Sequence, residues 1–319
     1  MANVLLIGEP IALLIAQTVG PLEEVECFTR KLAGAEINVC LGLARLEHEV
    51  KFITRIGADP FGYYVKATLE QEGINTDLVT FDDEFLTGSM LKGKVLEGDP
   101  PIAFYCKGSA ASKMTSELVE NLDLTGFDLI HITGVLPAIS KSCRLATKRL
   151  MERARNAKIT LSFDPNLRPT LWGETKVMIK EINELAKLAD IVLPGLEEGV
   201  TLTGSNDPAK IADFYQNLGA KQVIVKLGSK GAYVRDGIKS QVISEFRVQN
   251  IVDTVGAGDG FATGVISGII EGLSLFEAVK RGNAIGAIQI GHISDNEALP
   301  TREKLQAYMR ANSHEISQN

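Results

Sequence analysis

Asp253-Thr254-Val255-Gly256-Ala257-Gly258-Asp259-Gly260-Phe261 opens an apolar stretch of small residues that continues through Gly264, Gly268 and Gly272. Glycines ahead of a helix let backbone N–H groups converge on an anion with no Cβ in the way. The helix start adds partial positive charge. Such a turn suits a phosphate. Asp259 is the odd member, because a carboxylate beside a phosphate is unfavourable unless it has a task. One task is to accept a proton from a hydroxyl that attacks the phosphoryl group. The other reading is an acidic residue that complements the helix dipole. Spacing alone leaves both open, since a glycine-rich turn is a weak signal by itself.

Outward from this turn, short buried-strand patterns alternate with helical ones. Val4–Ile7, Val50–Ile53, Leu129–Ile132, Ile159–Phe163, Ile191–Leu193 and Val223–Val225 read as strands. Asn38–Leu46, Phe61–Glu72, Lys141–Asn156, Lys176–Leu188 and Ala209–Leu218 read as helices. Gly73 is suited to end the second of them. This alternation predicts an α/β fold, a mostly parallel sheet covered by helices on both faces. Thr87–Leu96 and Ile102–Lys107 flank the turn-rich 97–101 and read as a hairpin outside that sheet, with Ile11–Leu32 adding further strands beside it. The polar residues Ser313–Asn319 read as a frayed end.

The 319 residues carry a net charge of -7, which argues against a nucleic-acid partner. Cys27, Cys40, Cys106 and Cys143 form no CxxC pair, so reduced thiols and a cytoplasmic location are expected. No apolar run is long enough to span a bilayer, and the N-terminal run has no basic flank and is broken by Glu9. No GxGxxG follows the first strand, which counts against a dinucleotide enzyme. On pattern alone, Asn38 reads as a helix N-cap, Lys226–Gly231 as a β-turn and Asn283 as a solvent-facing helix residue.

The segment from Asp253 to Asp259 resembles the DTxGAGD signature of the ribokinase/PfkB carbohydrate kinases. Gly34-Ala35-Glu36-Ile37-Asn38-Val39 resembles their GGAxxNVA, with Ala33 in place of the first glycine, and 55–62 resembles the G-x-D-x-x-G that follows. The resemblance runs from Val4 to about Arg310. It implies a single ribokinase-like domain over 1–319, a three-layer α/β/α sandwich with a small β lid formed by about 11–32 and 87–107. It implies ATP and Mg²⁺, with Asp259 as catalytic base and the amides of Gly256, Ala257 and Gly258 as an anion hole. Gly34 and Asn38 would touch the sugar. Lys226, Gly228, Ser229 and Gly231 match the nucleotide turn, and Asn283 the helix facing adenine. In the N-x-x-E motif tied to Mg²⁺, Gly195 replaces the asparagine while Glu198 is kept, so its metal role would be indirect, through water. A homodimer through the lid is a further implication.

Within the family, Gly8-Glu9-Pro10, Lys107–Ser112 and Asp164–Trp172 look most like 2-keto-3-deoxygluconate kinases. That likeness makes Asn166 an ATP contact, Arg168 a contact of substrate and phosphates, and Tyr105 and Asp295 substrate contacts. A guanidinium at Arg168 would hold a sugar acid's carboxylate. Cys106 stands where these kinases usually have an arginine; strand alternation would put Lys107 on the opposite face. A fructokinase, or a sugar-binding regulator without turnover, are the alternatives.

Overall fold

The computed structural model describes residues 2–96, 98, 100–248, 251–252, 254–292 and 296–312. In chain order the first part holds β1 (Asn3–Ile7), β2 (Ile11–Ala16), β3 (Phe28–Ala33), α1 (Ala35–Arg45), β4 (Glu49–Gly57), α2 (Pro60–Gln71), β5 (Val79–Asp82), β6 (Ser89–Lys92) and β7 (Ile102–Tyr105). The middle holds α3 (Ser116–Glu120), β8 (Leu129–Thr133), α4 (Leu136–Ile139), α5 (Lys141–Asn156), β9 (Thr160–Asp164), α6 (Thr175–Ala186), β10 (Ile191–Val192), α7 (Leu196–Thr203) and α8 (Pro208–Leu218). The last part holds β11 (Gln222–Lys226), β12 (Ala232–Asp236), β13 (Lys239–Ile243), α9 (Ala257–Ile270), α10 (Leu275–Ile290) and α11 (Arg302–Ala311).

Nine strands form one sheet in the order β13-β12-β11-β10-β9-β8-β1-β4-β5. Pairing is parallel except at the β11–β12 and β12–β13 edge. Strand alternation sends Val4 and Leu6 of β1 into one core with α1, α9 and α10, and Leu5 and Ile7 into another with α5, α6 and α8. Both faces are therefore covered, as the apolar strand patterns predict. β3-β2-β6-β7 make the separate small sheet. Its β6–β7 pair is the expected hairpin, with Ser89 opposite Tyr105; Glu97 and Asp99 of its turn lie outside the described residues.

Three readings are corrected. α1 begins at Ala35 with Gly34 as N-cap, so Asn38 lies inside the helix and does not cap it. β7 ends at Tyr105, so strand alternation does not govern Cys106 and Lys107. Asn283 does not face solvent; it is 1% exposed.

The helix that carries Asp259 is placed by close backbone approach. A Cβ on Gly264 would lie 2.7 Å from the Gly282 Cα, and one on Gly268 the same distance from the Ala278 Cα. α9 and α10 thus pack nearly backbone to backbone, which only small residues permit. On its other side, Gly42 of α1 leaves room for Thr263. α9 is buried along most of its length, with Asp259, Thr263 and Ser267 forming one polar stripe on an otherwise apolar helix. Its N-terminus lies beside the carboxyl ends of β9 and β11, where open α/β sheets bind ligands.

Candidate active site

Asp259 is the third residue of α9, and its side chain caps no backbone group. Two amides from other elements hold it. Asn38 of α1 donates from Nδ2 to Oδ2 at 2.8 Å, and Asn166 donates from Nδ2 to Oδ1 at 3.2 Å. A carboxylate that merely complemented the helix dipole would not need this buried pair of donors. Asn166 follows β9 by two residues and has φ 36°, a left-handed conformation that asparagine tolerates.

Beside it stands an ion pair that the sequence patterns did not single out. Lys226, the last residue of β11, bonds Asp164, the last residue of β9, at 2.6 Å. Asp164 also accepts the Asn166 backbone N–H at 3.2 Å. The available signal was a carboxylate set directly after the buried run Ile159–Phe163. The Lys226 Nζ lies 4.0 Å from the point that a Cβ on Gly258 would occupy. A fixed cation thus adjoins the start of α9, where Gly256 (φ 78°) turns the chain into the helix. Gly256, Ala257 and Gly258 stand at a helix start beside Lys226, an arrangement that could hold an anion. Asp253, the first residue of the signature, lies outside the described residues.

Burial raises Asp259 to a pKa of about 7; the Asn38 bond opposes this, Asp164 adds to it, and Arg168 and Lys226 oppose it. A carboxylate poised there can take a proton near neutral pH. Burial pulls the Lys226 ammonium down, but Asp164, Glu198 and Asp259 outweigh that and hold it above its ordinary value.

Glu198 accepts the backbone N–H of Leu167 and that of Gly195, each at 2.6 Å. It therefore ties the loop carrying Asn166 and Arg168 to the start of α7. Arg168 is exposed; its Nη1 donates to the Leu167 carbonyl at 3.0 Å, and its charge reaches both Asp259 and Glu36. Among the described residues no cluster of three His, Cys, Asp or Glu side chains suited to a metal occurs.

A second acidic group lies under the lid. Glu9 accepts from Ser109 Oγ, and Glu36 accepts from Thr133 Oγ1; both carboxyls are buried. Burial brings Glu9 to about 7, and burial also raises Glu36. Gly34 (φ 132°) is required here, since a Cβ would stand 2.7 Å from the Glu9 carbonyl oxygen. Cys106, partly buried, sits near Glu9, and its thiol is pushed up to about 12 by burial and by that carboxyl. Tyr105 is 61% exposed on the lid's edge strand and joins neither group.

In the turn after β11, Gly228, Ser229 and Lys230 are exposed and form one 3₁₀ turn. Gly231 (φ 85°) packs against Ile243 and Glu245. Asn283 donates to the carbonyls of Ile243 and Ser244 at 3.1 and 2.9 Å, so it braces that wall, and its Oδ1 is buried without a partner. Asp295 lies outside the described residues.

The comparisons with known proteins agree with this geometry. The pfkB family carbohydrate kinase model matches residues 1–302. A 2-dehydro-3-deoxygluconokinase of Bacillus subtilis (strain 168) is 45% identical over 305 residues, covering 95% of this chain and 94% of the relative. The crystal structure of a PfkB protein from Polaromonas sp. JS666 superposes with a TM-score of 0.88 at 45% identity, covering 96% of this chain and all of that one. A putative ribokinase II from E. coli in complex with ATP and Mg²⁺ shares the fold with a TM-score of 0.89 at 23% identity, over 98% of this chain and 100% of that one. With the glycine turn, its aspartate and the lid all in place, this chain belongs to the pfkB family of carbohydrate kinases.

Proposed function

We propose that the enzyme transfers the γ-phosphoryl group of ATP to the terminal hydroxyl of 2-keto-3-deoxygluconate (2-dehydro-3-deoxy-D-gluconate), with Asp259 as base. The carrying observation is Asp259 itself, buried, held by Asn38 and Asn166, and set beside Lys226 at the start of α9. Asp259 accepts the proton as the sugar oxygen attacks phosphorus. The amides of Gly256 to Gly258 and the Lys226 ammonium hold the transferred group, whose charge is spread over its oxygens in the transition state. A methyl on Gly258 would meet no obstacle within the protein closer than Lys226, yet would stand in this cradle. Gly34 and Asn38 would face the sugar, and 228–231 with Asn283 the nucleotide.

Mg²⁺ would offset charge on the phosphates. With Glu198 bonded to two backbone N–H groups and Gly195 lacking a side chain, the protein offers few direct ligands. That suits an ion that keeps most of its water and binds through phosphate oxygens, with Glu198 accepting from one of those waters.

Arg168 is an exposed cation whose charge reaches Asp259, and it would pair with the acid sugar's carboxylate. Against an acid sugar stands Cys106 where an arginine is expected. It favours a neutral keto sugar such as fructose as the second reading. A panel of keto sugars and sugar acids, with ATP and Mg²⁺ and ADP release as readout, separates the two. Arg168→Ala is expected to raise KM for the acid sugar about ten- to a hundredfold through loss of a charge-assisted pair, with less effect on a neutral sugar. Equal losses for both would remove Arg168 from carboxylate recognition.

The lid would also carry a dimer. Phe104 and Tyr105 are 62% and 61% exposed on β7, the edge strand of the small sheet, which pairs only with β6 among the described residues. Two such edges meeting across a two-fold axis would cover them. Sedimentation at micromolar concentration should show a dimer; a monomer alone would remove the proposal.

A further inference from the structure

Asn38 holds the proposed base, and a side chain near the far end of the chain holds Asn38. Asn296 is 7% exposed. Its Nδ2 donates to the carbonyl of Leu32, on lid strand β3, at 2.7 Å, and to Oδ1 of Asn38 at 2.9 Å. A backbone carbonyl can only accept, so the Asn296 amide must turn its nitrogen this way. Both N–H bonds of that nitrogen are then engaged. Asn38 must meet the second with its oxygen, which leaves its own NH₂ for Asp259. Donation thus starts at the Asn296 NH₂, which serves both the lid carbonyl and Asn38, and passes on through the Asn38 NH₂ to the carboxylate; each amide orientation is forced by the one before.

We propose that Asn296 is a positioning residue for Asp259: by fixing which end of the Asn38 amide faces the carboxylate, it keeps a donor on the base. The proposal rests on Asp259 being the base. The Asn296 backbone is itself clamped, since Arg45 donates to its carbonyl at 2.7 Å while pairing with Glu72. The next residue, Glu297, pairs with Lys31 of β3. The segment therefore joins the lid to the base through covalent neighbours and one amide chain.

Without the Asn296 donor, the Asn38 amide is free to turn. With its oxygen toward Asp259 it would bond the protonated carboxyl and stabilise the form that cannot act as a base. The other charged groups acting on Asp259 are Asp164 at the end of β9, Arg168 on the loop after it, and Lys226 at the end of β11. None of them bonds the Asn296 side chain.

The test is the pH profile of kcat for Asn296→Leu, with Asn296→Ala as a second variant that adds no bulk. ADP release is followed with a sugar that the wild type turns over. The acid limb is expected to move up by about one pH unit, so that turnover at pH 6 falls about tenfold further than at pH 9. KM for ATP should stay unchanged. A loss of equal size at every pH, or an unmoved limb, in both variants would overturn the proposal. Asp259→Asn in the same assay separates the two failures. If it keeps turnover, the base assignment has failed; if it is inactive while the Asn296 limb stays fixed, only the positioning role has.

Discussion

Asp259→Asn is expected to lower kcat by about a hundredfold or more, the usual scale for loss of a general base, while ATP affinity stays near wild type. The substituted side chain keeps the size and can still accept from Asn38, but it cannot take the proton. Wild-type turnover should fall as pH drops through about 7, where burial places the Asp259 carboxyl, and the variant's residual rate should lack that limb. Stability should move the other way. Because the folded pKa lies above the unfolded one, the wild type loses stability as pH rises from about 4 to about 7. The raise from 3.8 to about 7 corresponds to at most about 4 kcal/mol. Asp259→Asn removes that cost, so the unliganded variant should melt higher than wild type at pH 8, with the advantage shrinking toward pH 4. A folded variant with kcat within about tenfold of wild type would end the base assignment. A purely structural carboxylate predicts the reverse pair, with near-normal turnover and a lower melting temperature.

The parts of the fold that could be read from sequence are those whose burial leaves a local pattern. α5 runs over Lys141–Asn156 as the periodicity predicts, because one face packs on the sheet while Ser140 caps its start. The inner parallel strands are apolar on both faces and stand out. β13 did not, because it is an edge strand whose Lys239, Ser240 and Gln241 are exposed, and an exposed strand carries no apolar run. The Asp236-Gly237 pair between β12 and β13 was the turn signal that could have found it. In the site, the glycine turn was legible because backbone geometry restricts residue choice. The partners of Asp259 were harder to find. Asn38 looked like a cap because asparagine serves both caps and buried bonds. Asn296 and Asp164 act on residues that are distant in sequence, and nothing local marks such a pairing.

Lys226→Met should then separate charge on the phosphate from support of the fold. In the wild type the ammonium answers Asp164 at 2.6 Å and stands beside Gly258. Removing it strands the Asp164 carboxylate, which is almost fully buried, next to Asp259. Loss of one partner from such a pair costs roughly 3 kcal/mol or more, because the remaining charge has no compensation. The Asp259 carboxyl also loses one of the two cations that favour its charged form, so its acid limb should move to higher pH. Turnover should fall by about a hundred- to a thousandfold at any pH, the scale for losing a preorganised group aimed at transition-state charge. The double variant Lys226→Met with Asp164→Asn decides between these effects. Asparagine at 164 can still accept the Asn166 backbone N–H but leaves no buried charge behind. Denaturant melts of the double variant should therefore return most of the lost stability, while kcat stays low. If turnover recovers along with stability, Lys226 acts only through the pair with Asp164, and the phosphoryl group is held by the α9 amides without it.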